Sequence, residues 1–143
     1  MEPVYDYPTG FFVGASTNRT GGIGVHIILS KEHYFHLKLG YGHSTNTRSE
    51  LLALWVLLVL SKLIGLPYLH IRGDSSTIIN WFNGKASLET LELAGWGHEI
   101  MTLCTYFSHL KTSHVYREFN VQVESLSKEA LLLPSGILYF FIF

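Results

Sequence analysis

The chain predicts a mixed α/β domain with a five-stranded sheet: three antiparallel strands, then two crossover strands, flanked by helices. Three observations carry that prediction. Residues 10–42 hold three runs rich in β-branched and aromatic residues, joined by connections too short for anything but antiparallel pairing. A long apolar stretch, Leu51–Leu60, follows directly. Beyond it, short β-like runs alternate with helical stretches, the pattern of crossover connections. The expected order is β-β-β-α-β-α-α-β-α.

The first three strands are Gly10–Ser16, Ile23–Ser30 and Tyr34–Gly42, separated by Thr17-Asn18-Arg19-Thr20-Gly21-Gly22 and Lys31-Glu32-His33, both turn-like. In the third, His36 and Lys38 alternate with Phe35, Leu37 and Leu39, which predicts one wet face. Ser44-Thr45-Asn46 offers capping side chains before a helix over Thr47–Ile64, closed by Gly65 and Pro67. That helix is apolar nearly all round, as befits one sandwiched between layers. Tyr68–Arg72 reads as the fourth strand and Thr77–Phe82 as a short helix broken by Asn83-Gly84-Lys85. Leu88–Tyr106 reads as helical, with a weak point at Gly95-Trp96-Gly97. Ser108–Val115 is the fifth strand, and Val121–Leu132 the last helix, ended by Pro134. Trp55, Trp81 and Trp96 fall in helical segments as core anchors.

At 143 residues, the chain is one domain, with a core over about 8–132 and an apolar tail or extra strand over 133–143. Hydrophobic residues make up 48% and charged residues 15%, which excludes a disordered chain. The formal net charge of −1 does not advertise a polyanionic partner. The single cysteine, Cys104, excludes an internal disulfide and suits a small buried apolar role. Leu51–Leu60 is half the roughly 20 residues that a membrane span needs. Met1–Asp6 has neither a basic nor an apolar segment, so no secretory signal is expected and an intracellular location is. Within the apolar tail, Tyr139–Phe143 offers an edge able to pair with another copy. The histidines other than His114 form no zinc-like array.

Four local motifs occur in order along the chain: Phe12-Val13-Gly14-Ala15-Ser16 with Gly21-Gly22-Ile23-Gly24; Ser44-Thr45-Asn46-Thr47-Arg48-Ser49-Glu50-Leu51; Ile71-Arg72-Gly73-Asp74-Ser75; and His114-Val115-Tyr116-Arg117-Glu118-Phe119-Asn120 leading to Glu124-Ser125-Leu126-Ser127-Lys128. Together they resemble type 1 ribonuclease H, in its plant retroelement-like, reverse-transcriptase-associated branch. The resemblance runs from about Pro8 to Leu132. It implies a ribonuclease H-like fold and an endonuclease that cuts the RNA strand of RNA–DNA hybrids with two magnesium ions. It also implies four carboxylate ligands, at the positions of Val13, Glu50, Asp74 and Glu124.

Only three of those positions are acidic here, and Glu124 stands where the family usually has aspartate. Magnesium takes oxygen ligands in near-ideal octahedra and keeps several waters. An isopropyl group supplies no oxygen, so Val13 at the position of the bridging ligand predicts impaired cleavage. By resemblance, His114 assists proton transfer, and Asn18, Asn46, Thr47, Ser75 and Asn120 contact the nucleic acid. Plainer roles are open for several of these: Glu50 as a helix N-terminal acid, Asp74 and Asn46 as helix caps, Glu124 as a solvated helix residue, and His114 as a strand end. Around Asn83–Leu91, where some relatives carry a basic protrusion, this chain offers only Lys85, so affinity for a hybrid is expected to be weak and salt-sensitive. The alternative to an enzyme is a catalytically inactive nucleic-acid-binding or interaction module, a retroelement remnant.

Overall fold

In a computed structural model, the chain is described over residues 8–17, 20–30, 32–42, 45–88, 91–115, 121–130, 133 and 138–142, with side chains omitted at 91, 92, 121–124, 126 and 138–142. The elements are β1 (Thr9–Ser16), β2 (Gly21–Ser30), β3 (His33–Tyr41), α1 (Asn46–Ile64), β4 (Tyr68–Gly73), α2 (Ser76–Phe82), α3 (Leu91–Cys104), β5 (His109–His114), α4 (Val121–Ala130) and β6 (Leu138–Ile142). The sheet order is β5-β4-β1-β2-β3-β6. β1, β2 and β3 form an antiparallel meander, and β4 and β5 add in parallel beside β1. The five expected strands are all present in the expected directions. The apolar tail supplies the sixth strand, with Leu138–Ile142 antiparallel to Leu39–Phe35. This pairing covers the outer edge of β3.

The strand alternation sends two sets of side chains to opposite faces. Phe12, Ile23, Val25, Ile27, Phe35, Leu37, Leu69 and Ile71 form the main core with α1, whose Leu51, Leu54, Leu57 and Leu58 are fully buried. α3 packs on the outside of α1, with the Trp96 ring edge-on to Trp55 at 6.0 Å between centroids. α1 is therefore sandwiched, as its apolar circumference requires. It starts at Asn46 with Thr45 as cap, the Thr45 Oγ1 accepting from the Arg48 N–H at 3.2 Å, and it ends on Gly65 at φ 89°, a left-handed conformation suited to glycine. Gly95-Trp96-Gly97 does not break α3. A Cβ at Gly97 would lie 2.7 Å from the Trp81 ring, so that glycine serves close packing rather than helix termination. The Cys104 thiol is half-buried, and burial pushes its pKa up to about 11, as suits an apolar role. No helix among the described residues is long and apolar enough to cross a membrane.

The opposite face of the sheet is not the wet surface that the β3 alternation predicts. α4 lies across β1, β2 and β3 there, tied by an ion pair from Lys38 Nζ to Glu129 Oε2 at 3.1 Å. Phe11, Val13 and Val115 form a second small apolar cluster on this side. His26 and His36 are buried beside them, with their rings edge-on at 4.3 Å between centroids. Alternation with polar residues marks a face but cannot say whether solvent or a helix meets it.

The buried histidine pair makes stability pH-dependent. Burial, reinforced by the neighbouring His36 ring, pushes the His26 imidazole down to about 3, and burial lowers His36 as well. The folded state thus binds a proton at His26 less readily than the unfolded chain, whose histidines titrate near about 6.5. The stabilisation is complete above that value and is lost as pH falls from about 6.5 toward 3. At pH 5 the loss from His26 alone is about 2 kcal/mol. Urea unfolding near neutral pH and near pH 5 checks this, and His26→Leu should flatten the difference.

Candidate active site

The parallel neighbours β1 and β4 end side by side, Phe12 opposite Gly73, so Val13 and Asp74 emerge at the same end of the sheet. β1 is also the strand at which the sheet changes pairing, with parallel β4 on one side and antiparallel β2 on the other. The crevice at the carboxyl ends of parallel strands is the usual ligand position of such sheets. α1 is brought to the same place by Gly14. A Cβ there would stand 2.2 Å from the Ser49 carbonyl carbon and 2.4 Å from the Glu50 nitrogen. Only the bare glycine backbone allows α1 to press this closely onto β1, and the contact sets Glu50 against the end of the strand.

The result is a cleft of about 410 Å³. β1 lines it with Val13, Gly14, Ala15 and Ser16; α1 with Asn46, Thr47 and Glu50; the start of α2 with Asp74, Ser75 and Thr77; and α4 with Ser127 and Lys128. Val13, Glu50, Asp74, Asn46, Thr47 and Ser75, far apart in the chain, thus share one concavity. His114, at the end of β5, sits at its margin, where its Nε2–H donates to the Asp74 carbonyl oxygen at 3.1 Å. Glu124 lies on α4, the helix that also carries Ser127 and Lys128. Its side chain, like Asn18 and Asn120, lies outside the described residues.

Several plainer roles fall to neighbours instead. The cap of α1 is Thr45, not Asn46, whose Oδ1 accepts from Ser16 Oγ at 2.7 Å and so ties α1 to β1. The cap of α2 is Ser75, whose Oγ accepts from the Ile78 N–H at 3.4 Å. No acid stands in the first turn of α1, so the helix macrodipole does not account for Glu50. Ser16, Thr77, Ser127 and Lys128 line the cleft without having been singled out from the sequence. For Lys128 a signal existed, its position one helical turn beyond Glu124 on the same helix.

Among the described residues, the end of β1 offers no side-chain oxygen at Val13 to a pair of magnesium ions. Val13 is 4% exposed and packs on Phe11, Val115 and Ile28, so the side chain at the end of β1 brings hydrocarbon where an oxygen is required. Among the described residues no group of three or more His, Cys, Asp and Glu side chains comes together to hold a metal. Among the described residues that line the cleft, Glu50 and Asp74 are the two carboxylates, and neither stands at the end of β1.

Comparisons with known proteins agree with this architecture. No protein with a curated description matches the chain. Among solved structures, RNase H1 from the halophilic archaeon Halobacterium salinarum superposes with a TM-score of 0.82 at 24% identity, covering 87% of this chain and 96% of that one. The N-terminal RNase H domain of a Mycobacterium tuberculosis protein gives 0.77 at 18% identity, over 87% and 94%. LC11-RNase H1, solved in complex with an RNA/DNA hybrid, gives 0.80 at 22% identity, over 86% and 95%. These likenesses establish a ribonuclease H fold. The sequence description of reverse transcriptase-like proteins matches residues 11–130, most of the chain. The chain belongs to the reverse transcriptase-like family, as a ribonuclease H-type domain.

Proposed function

We propose that this domain binds RNA–DNA hybrid in the cleft at the end of β1 and β4, and that cleavage of the RNA strand, the reaction implied by its ribonuclease H character, is impaired in this copy. The observation that carries the reading is Val13 lining the same cleft as Glu50 and Asp74. In this reading Glu50, Asp74 and Glu124 are the remaining metal-facing acids. His114, next to the Asp74 backbone, is the proton-transfer group. Asn18, Asn46, Thr47, Ser75 and Asn120 meet the sugar–phosphate backbone, where hydroxyl and amide groups can read a 2′-OH and so tell RNA from DNA. Magnesium would be the family's cofactor, bound weakly here for want of the bridging oxygen. The inactive binding module is the limiting case of the same reading, and the buried hydrocarbon of Val13 favours it over a competent nuclease.

Fluorescence anisotropy with a labelled hybrid, duplex DNA and single-stranded RNA tests the binding. The hybrid should bind most tightly in low salt. With about three phosphates neutralised, affinity should fall roughly 10- to 50-fold between 50 and 200 mM salt. Failure to bind hybrid in low salt, or equal affinity for duplex DNA, would contradict the proposal.

A further inference from the structure

Resting on the cleft as the nucleic-acid site, we infer that Lys128 acts there as a built-in cation in place of an ion that position 13 no longer helps to hold, so that a backbone phosphate is bound without divalent metal. Among the described residues that line the cleft, Glu50 and Asp74 are acidic and Lys128 is the one Lys or Arg. Two carboxylates repel an approaching phosphate unless a positive charge stands between them. In a two-ion nuclease that charge is metal. Val13 removes the oxygen that would bridge such ions, while the repulsion of phosphate by the remaining acids persists. An ammonium group supplies the charge without needing a bridging ligand. It is a compact point charge with three donors on a flexible four-carbon arm.

The local structure aims α4 at this task. Ser127, fully buried, lines the cleft beside Lys128 and fixes this turn of the helix against the sheet. The next residue, Glu129, is engaged by Lys38 on β3 at 3.1 Å, so the helix is clamped on that side while Lys128 borders the cleft. Lys128 is itself exposed, so its substitution does not threaten the core.

Hybrid binding by the full chain, measured in EDTA and in millimolar magnesium, tests the inference. The native affinity should agree within about twofold between the two buffers. In EDTA, Lys128→Met should weaken binding about three- to tenfold and lower the slope of log affinity against log salt by about one. Lys128→Arg should retain most of the affinity, and Lys62→Met, at the far end of α1, should change nothing. Native binding that needs magnesium, or a Lys128→Met chain with unaltered affinity and salt slope, overturns the inference while leaving hybrid binding intact. A native chain that binds hybrid in neither buffer overturns the functional reading as well, so the two failures are distinguishable.

Discussion

Val13→Asp is expected to raise the rate of RNA-strand cleavage in an RNA–DNA hybrid by about 10³- to 10⁴-fold over the native chain, equivalent to about 4–6 kcal/mol of transition-state stabilisation. The substitution places a carboxylate at the end of β1 in the cleft shared by Glu50 and Asp74. It also carries a cost. The valine packs on Phe11, Val115 and Ile28, and the new charge joins two acids in a partly enclosed space. Without metal the variant should therefore be less stable than the native chain, by about 1–3 kcal/mol. Added magnesium should restore stability to the variant, because an ion bound only to the folded state stabilises it. A residual deficit is expected from Glu124, whose extra methylene displaces the carboxylate by about an ångström, a misplacement able to cost on the order of 10²-fold. Adding Glu124→Asp to Val13→Asp should recover part of it. Single-turnover cleavage of an end-labelled hybrid reads all of these rates. A native chain as fast as the Val13→Asp chain would contradict the expectation.

Gly14→Ala is expected to cost about 3 kcal/mol or more, a large share of the total stability of a domain this size. The added methyl would meet main-chain atoms of Ser49 and Glu50 at 2.2–2.5 Å. Flexible side chains can swing aside, but a helix backbone moves only with everything packed on it. α1 carries Leu51, Leu54, Leu57 and Leu58 in the centre of the core, so shifting it opens voids against the sheet. The same displacement withdraws Glu50 from the end of β1. Loss of stability and loss of hybrid binding should therefore appear together, measured by urea unfolding and anisotropy. Gly95→Ala, where an added Cβ meets nothing within 4 Å, is the matched control and should be neutral or slightly stabilising.

Much of the architecture was legible in the residues, and the exceptions have physical reasons. Short turns between β-rich runs dictate an antiparallel meander, and the all-round apolar helix has to be sandwiched, so the first half of the fold follows from local chemistry. The position of Val13 was legible because β1, the start of α1 and the end of β4 each carry a local motif around the cleft residue. What failed was mostly the identity of the neighbour. The His36 and Lys38 alternation reads alike whether solvent or α4 covers that face. Glycines at 95 and 97 lower helix propensity, but the contact of Gly97 with Trp81 and Leu88 is tertiary and invisible to propensity. Whether the tail became a strand depended on an open edge at β3, a partner far upstream in the chain. Thr45, within the expected capping set, caps α1, while the cap of α2 falls on Ser75 rather than Asp74, because adjacent polar side chains compete for the same role. A helix lysine such as Lys128 ordinarily marks a solvated face, so its place in the sequence does not by itself point to the cleft.

Titration calorimetry of the native and Val13→Asp chains with manganese or magnesium tests most directly whether the cleft lacks an oxygen donor that an ion pair requires. The native chain should bind at most one ion and do so weakly. The Val13→Asp chain should gain at least about tenfold in affinity, roughly 1.4 kcal/mol. Two ions bound by the native chain as tightly as by the Val13→Asp chain would show that the cleft is complete with its valine, and the account would be wrong.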